Sequence, residues 1–157
     1  MKRLLIFFAA AILLIGAATA DVSSNLGLEL PTIELPALDG KLTSLQDNEK
    51  TVLVFFTSWS KSSQSNLAYL QSLREKENLI NIVGISFDKK AKTVQDFVAE
   101  NKISFPILID KKLTSINKLK LLVIPTTFCI NSSGVIEKIF VDYDDNVKKA
   151  LAEWLKS

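Results

Sequence analysis

Residues 51–65 read TVLVFFTSWSKSSQS, and this stretch decides the fold. Its first half, residues 52–56, is a continuous apolar run rich in β-branched and aromatic side chains, which is typical of a strand buried on both faces. The second half changes to small hydroxyl residues, and three leucines then recur at helical spacing, Leu67, Leu70 and Leu73. The sequence therefore predicts a buried strand that leads directly into a helix over residues 61–76, with Ser60 as the N-cap.

This strand–helix junction places Trp59, Ser60 and Ser63 at the carboxyl end of a central strand. Open α/β sheets bind their ligands at that end, in the crevice between the loops. We therefore expect the functional site at the junction.

The rest of the chain alternates apolar runs with helical patterns. Further strands are predicted at residues 79–87, 105–109, 124–130 and 135–141. Helical spacing is found up to about residue 101 and from residue 144 onward, with a short helix or turn-rich connection over residues 111–121. Strands separated by helices, followed by an antiparallel pair, predict an α/β fold with a central mixed sheet flanked by helices.

A small β-hairpin is predicted ahead of the sheet, over residues 30–45, with a turn at Asp39-Gly40. Residues 21–29 form a short polar segment, which predicts a flexible lead-in with few constraints. The folded domain is therefore expected to span residues 30–157.

The first twenty residues predict an export signal. Lys2 and Arg3 form a basic start, residues 4–15 form an apolar core, and residues 18–20 form an A-x-A cleavage site. We expect a cleaved signal peptide and a periplasmic or otherwise exported protein, with an uncleaved N-terminal anchor as the alternative. No membrane contact beyond this signal is expected.

Composition narrows the possible functions. Lys2 and Arg3 are two of the 19 basic residues, so without them the basic residues equal the 17 acidic ones. No basic patch predicts a nucleic-acid partner. Histidine does not occur in the sequence, which excludes Ser–His–Asp and Cys–His catalysis and the commonest zinc ligand. We therefore expect neither a metal nor another cofactor.

Several segments carry a resemblance to a known family. VLVFFTSWSKSS at residues 52–63 resembles the active-site segment of the thioredoxin superfamily, closest to its envelope-located TlpA/ResA branch, which is related to the AhpC/TSA redoxins. VGISFD, ISFPILID and IPTTFCINSSGVI resemble further TlpA/ResA segments in the same order and spacing, and residues 30–45 resemble the N-terminal hairpin of such proteins. The resemblance implies a thioredoxin-like fold with an N-terminal β-hairpin extension.

The resemblance also places Ser60 and Ser63 where the family carries Cys-x-x-Cys. A serine hydroxyl stays protonated at neutral pH and cannot exchange disulfides, so the scaffold lacks its redox dithiol. Val54 occupies the position where other thioredoxins place a polar or acidic residue, which agrees with that loss. The alternative interpretation of the serines is structural, as an N-cap and a first-turn residue. An engineered origin of the serines is a further alternative, although the intact export signal favours a natural sequence.

Pro125 matches the cis-proline that lies opposite the motif in this superfamily. The resemblance implies that Ile124 and Pro125, followed by Thr126, leave a backbone edge able to pair with an extended peptide. Lys61, adjacent to Ser60, is expected in solvent and is included among the candidate binding residues. Trp59 would be either an exposed binding anchor or a partly buried packing residue.

Cys129 is the one cysteine, so an internal disulfide is excluded. Its apolar neighbours in the predicted strand favour a buried and inert free thiol, and a reactive thiol that forms mixed disulfides or dimers is the alternative.

Two functional hypotheses follow. The first is an exported, redox-inactive thioredoxin-like module that binds extended peptide or a partner protein. The second is a thiol-disulfide oxidoreductase serving envelope redox homeostasis or cytochrome c maturation, which the two serines oppose. Peroxiredoxin activity is opposed because Cys129 does not lie near the helix start. The sequence gives no oligomeric state.

Overall fold

The computed structural model describes residues 21–45, 49–76 and 81–157, so the predicted signal at residues 1–20 lies outside the described residues. A 3-10 helix, Val22–Asn25, comes first in the described chain. It is followed by β1 (Glu34–Pro36), β2 (Leu42–Ser44), β3 (Thr51–Phe56), α1 (Lys61–Lys76), β4 (Asn81–Ser86), α2 (Ala91–Glu100), β5 (Ile107–Ile109), α3 (Thr114–Leu119), β6 (Thr126–Ile130), β7 (Ile136–Val141) and α4 (Asp145–Lys156). Within those ranges, none of the helices has the length and apolar character needed to cross a bilayer.

The central sheet has the strand order β5-β4-β3-β6-β7. β3 is parallel to β4 and β4 to β5, whereas β6 is antiparallel to both β3 and β7. Helical crossovers join the parallel strands, and a short turn joins β6 to β7, as the two kinds of pairing require. The arrangement confirms the predicted α/β class with a mixed sheet flanked by helices.

β3 is buried along its whole length because both faces of the sheet are covered. Val52, Val54 and Phe56 belong to one apolar cluster, whereas Leu53 and Phe55 belong to the other, as the alternation of a strand dictates. The first cluster includes side chains of α1, α2 and α4, and the second includes those of α3 and the N-terminal hairpin. Each fully buried side chain of this kind contributes roughly 1.5–3 kcal/mol.

Two strands are shorter than predicted because a proline precedes each. β5 begins after Pro106 and β6 begins after Pro125, and a proline has no N–H to donate to a sheet ladder. The start of the predicted strand at residues 79–87 lies outside the described residues. Helix α1 has the predicted bounds.

The N-terminal hairpin forms as predicted. β1 and β2 pair antiparallel, and Gly40 in the turn has a φ of 85°, a left-handed conformation that suits glycine. Ile33 and Leu35 point into the core. Ala37 bridges to Leu108 of β5, so the hairpin covers part of that edge strand.

The sequence predicts a flexible lead-in with few constraints at residues 21–29, but in the structure this segment makes specific contacts with the folded domain. Val22 is buried, and the side-chain amide of Asn25 donates to the carbonyl of Leu119 at 2.8 Å. The N–H of Gly27 donates to the carbonyl of Ile136 at 2.8 Å. A polar composition hid these contacts, since the binding partners lie about a hundred residues further along the chain.

Candidate functional site

The junction between β3 and α1 is fixed by its serines. The Ser60 hydroxyl accepts from the Ser63 N–H at 3.3 Å, which is the predicted N-cap contact. The Ser60 carbonyl accepts from the Gln64 N–H at 2.9 Å. Ser63 is fully buried, and its hydroxyl accepts from the Thr57 N–H at 3.4 Å. Both serines therefore support the start of the helix.

A buried carboxylate behind the junction is a site residue that the sequence analysis missed. Asp88 follows β4 and accepts from the Ser58 N–H at 2.8 Å and from the Ser58 hydroxyl at 2.7 Å. The Ser86 hydroxyl donates to it at 2.7 Å. Hydrogen bonds to an ionised acceptor are strong, so Asp88 holds the loop that presents Trp59. An acid directly after a buried strand was the available signal.

Trp59 is exposed to 76% of its surface and is therefore not a partly buried packing residue, whereas its role as a binding anchor stays a prediction. Leu122 is exposed to 77%, and Val123 is also exposed. The loops meet at one edge of the sheet, because Phe55 near the end of β3 pairs with Thr126 at the start of β6. We call Trp59, Leu122 and Val123 the apolar surface.

The proline expected opposite the junction lies in this second loop. The Ile124–Pro125 peptide bond is cis, and the Pro125 carbonyl accepts from the Asp142 N–H at 2.8 Å. Ile124 is half-buried and Pro125 is buried. Thr126 is buried, and its hydroxyl donates to the Val123 carbonyl at 2.7 Å, so this side chain is not presented to a ligand.

The first turn of α1 is exposed on one side and attached on the other. Lys61 is exposed, as expected from the sequence. The Ser62 hydroxyl donates to the Asp142 carboxylate, which links α1 to the residue that follows β7.

Cys129 lies in β6, where it pairs with Val52 of β3. It is three residues further along β6 than Thr126, which lies at the start of that strand. Three residues of strand correspond to about 10 Å, so the thiol is remote from the junction. The side chain is fully buried, and burial raises the pKa of the Cys129 thiol to about 12. The structure therefore places the sulfur as a neutral core group.

These groups determine what the junction can do chemically. It offers hydroxyls that are engaged in the helix start, and a carboxylate that is engaged by serines. Val54, beneath the junction, is buried and apolar. In the part of the chain that the structure describes, no cluster of His, Cys, Asp and Glu is suited to hold a metal ion. The arrangement presents an exposed surface on loops that are held by hydrogen bonds.

The family model of AhpC/TSA proteins matches residues 26–139, which is more than half of the chain. The chain belongs to the AhpC/TSA family. One relative is sporulation thiol-disulfide oxidoreductase A of Bacillus subtilis strain 168, which is 30% identical to this chain over 148 residues. The match covers 87% of this chain and 88% of the relative.

Another relative is the thiol-disulfide oxidoreductase ResA of Bacillus thuringiensis subsp. konkukian, which is 29% identical to this chain over 146 residues. The match covers 90% of this chain and 83% of ResA. The crystal structure of the thioredoxin domain of a thiol-disulfide oxidoreductase from Bacteroides vulgatus matches with a TM-score of 0.72 and 15% identity, covering 82% of this chain and 96% of that domain. This likeness confirms the thioredoxin-like fold, and the relatives confirm the resemblance to the ResA group.

Proposed function

We propose that this chain is an exported, redox-inactive thioredoxin-like module that binds an extended peptide or a partner protein beside Trp59 and Pro125. The observation that carries the proposal is that the start of α1 has serine hydroxyls and that the cysteine thiol lies elsewhere. Ser60 and Ser63 stand at the helix start, whereas the thiol of Cys129 is buried in the sheet.

Thiol–disulfide exchange requires a thiolate that attacks a sulfur atom and a second thiol or disulfide to complete the exchange. Neither serine provides a thiolate. The raised pKa of about 12 keeps Cys129 protonated at neutral pH, and its full burial denies access to a disulfide of another protein. These features support a function without redox chemistry.

Peptide binding is supported by the backbone beside the cis-proline. The residues that the structure describes form no hydrogen bond with the N–H or the carbonyl of Ile124. An extended segment can satisfy such groups by adding to the sheet as a further strand-like partner. The apolar surface lies next to this backbone, and an exposed tryptophan is a common binding anchor.

Export is supported by the sequence of residues 1–20, with its basic start, apolar core and A-x-A motif. A partner would therefore be met outside the cytoplasm.

The second candidate is a thiol-disulfide oxidoreductase that acts in envelope redox homeostasis or cytochrome c maturation. The names of the two relatives favour it. The serines at positions 60 and 63 oppose it, because the exchange reaction needs sulfur at these positions.

An insulin reduction assay driven by dithiothreitol distinguishes the two candidates. We expect the purified protein to be inactive and the Ser60→Cys/Ser63→Cys variant to be active, because the helix start lowers the pKa of a thiol placed there. Any disulfide-reducing activity of the natural protein would contradict the proposal, and a Cys129→Ser variant would then show whether that activity depends on the buried thiol.

A further inference from the structure

The loops around Trp59 lie side by side in an order that the sheet dictates. The carboxyl ends of β5, β4 and β3 lie at the same edge as the start of β6 and the end of β7, because β6 is antiparallel to both β3 and β7. We call these loops the ligand edge. In sheet order it consists of residues 110–112, 88–90, 57–61, 122–125 and 142–145.

The half of the ligand edge over β5 and β4 is basic. Lys111 and Lys112 follow β5, Lys89 and Lys90 follow β4, and all four are exposed. Lys61 adds a further exposed cation beside Trp59. None of the five forms an ion pair with another described residue. Their charges are therefore available to a partner.

The carboxylates of the same half are largely withdrawn from the surface. Asp88 and Asp110 are buried, and the Asp110 carboxylate accepts from the N–H groups of Thr114 and Ser115 and from the Ser115 hydroxyl. Both acids offset part of the lysine charge, but their oxygens are used inside the protein. Glu34 of β1 is exposed and shares a cavity with the two lysines that follow β5.

The opposite half of the ligand edge is acidic. Asp142, Asp144 and Asp145 follow β7 and are exposed. The Asp144 carboxylate accepts from the Val147 N–H at 2.8 Å and so caps α4, which leaves its charge at the surface. The ligand edge thus runs from basic to apolar to acidic.

The dimensions of the ligand edge suit a short piece of extended chain. Neighbouring strands lie about 4.8 Å apart, so five strand ends span roughly 19 Å. About six residues of extended polypeptide cover that distance at about 3.3 Å each.

We propose that the ligand edge binds an extended polypeptide segment with an apolar centre and with acidic residues on the side that lies over β4 and β5. The inference rests on the proposed function and adds the charge of the partner. The centre would contact Trp59, and the acidic side chains would meet the lysines at 89, 90, 111 and 112, because complementary charges across an interface select partners. A planar anionic bilayer would meet both halves at once, and the three acids after β7 would repel it.

Fluorescence anisotropy with three labelled peptides tests the inference. Each peptide has a central Val-Leu-Val and differs in the two residues at one end, which are both Asp, both Asn or both Lys. At about 20 mM salt we expect the Asp peptide to bind the purified protein about tenfold more tightly than the Lys peptide. The ratio should shrink at about 200 mM salt, because the Debye length falls.

Variants locate the preference. Lys89→Gln/Lys90→Gln should reduce the preference for the Asp peptide, and Lys89→Glu/Lys90→Glu should favour the Lys peptide. The matched control for the Gln variant is Lys102→Gln/Lys156→Gln, which removes the same two positive charges at exposed residues outside the ligand edge. The control should retain the preference.

Equal binding of all three peptides would overturn the inference and leave the proposed function standing, whereas a failure of all three to bind would contradict both. Loss of the preference in the control variant would assign it to net charge and overturn the inference. Binding to phosphatidylglycerol vesicles that depends on Lys89 and Lys90, without peptide binding, would replace the peptide with a membrane and also overturn it.

Discussion

Ser60 accepts a hydrogen bond from the Ser63 N–H, and Ser63 accepts one from the Thr57 N–H. Both bonds use oxygen as an acceptor at a helix N-terminus, where partial positive charge favours an anion. A thiolate at these positions would be stabilised by the same groups, whereas a hydroxyl does not ionise near neutral pH. The helix start would therefore favour the ionisation of a thiol placed at either position, but the sequence has hydroxyl groups there.

The other residue whose chemistry depends on its surroundings is Cys129, and it predicts a pH dependence of stability. Burial raises the pKa of this thiol to about 12, whereas the unfolded chain ionises near the ordinary value of 9.0. Between these pH values the native state binds more protons than the unfolded state, so stability falls as the pH rises. We expect the protein to lose about 1 kcal/mol relative to a Cys129→Ala variant between about pH 7 and about pH 10.

Urea unfolding of both proteins at the two pH values measures this difference, and the comparison cancels the titration of lysines, which the two proteins share. Equal losses in the two proteins would show that Cys129 titrates normally in the native state.

At the scale of elements, the connection from β3 to α1 is the part of the fold on which the site depends. Four residues separate the end of β3 from the start of α1. Asp88 holds this connection from the β4 side, and Asp142 holds the first turn of α1 from the β7 side. Residues that follow two other strands of the sheet therefore hold the connection that carries Trp59.

Removal of the N-cap tests this dependence. Ser60→Ala deletes the acceptor of the Ser63 N–H and should reduce the free energy of unfolding by about 1 kcal/mol. The matched control is Ser65→Ala, an exposed serine inside α1, which should be neutral or slightly stabilising because alanine has the higher helix propensity. Chemical unfolding followed by circular dichroism measures both, and equal effects of the two substitutions would disprove the capping role.

At the scale of the whole molecule, the sequence predicts best what depends on burial. The apolar runs of β3 and β4 are visible in the pattern because burial selects apolar side chains along each strand. The turn before β7 is visible for another local reason, because Gly134 has a φ of 79° that suits glycine. The contact between Asp88 and Ser58 joins residues 30 positions apart, and it follows only from the parallel pairing of β3 and β4. The basic half of the ligand edge was not predicted for the same reason, since its four lysines come from two loops that are separate in the sequence.

The N-terminal segment gives a prediction at this scale. Asn25 donates to the carbonyls of Val22 and Leu119, and Asn25→Ala would leave the buried Leu119 carbonyl without this donor. We expect a loss of about 1–3 kcal/mol in the free energy of unfolding and faster hydrogen exchange of the Gly27 amide. Ser23→Ala is the control, because Ser23 is exposed and donates only to exposed Asp21. Unchanged exchange at Gly27 in the Asn25 variant would refute the anchoring role.

The two tryptophans of the chain occupy opposite environments. Trp154 is buried, its indole N–H donates to Glu137 at 2.8 Å, and Lys50 lies 4.4 Å from the ring centroid, whereas Trp59 stands in solvent at the ligand edge. The intrinsic emission of the protein therefore has a shielded component and a component open to iodide quenching. A molecule that covers the ligand edge should shift only the emission of Trp59 to shorter wavelength. Binding at the ligand edge can therefore be followed by intrinsic tryptophan fluorescence without an added label.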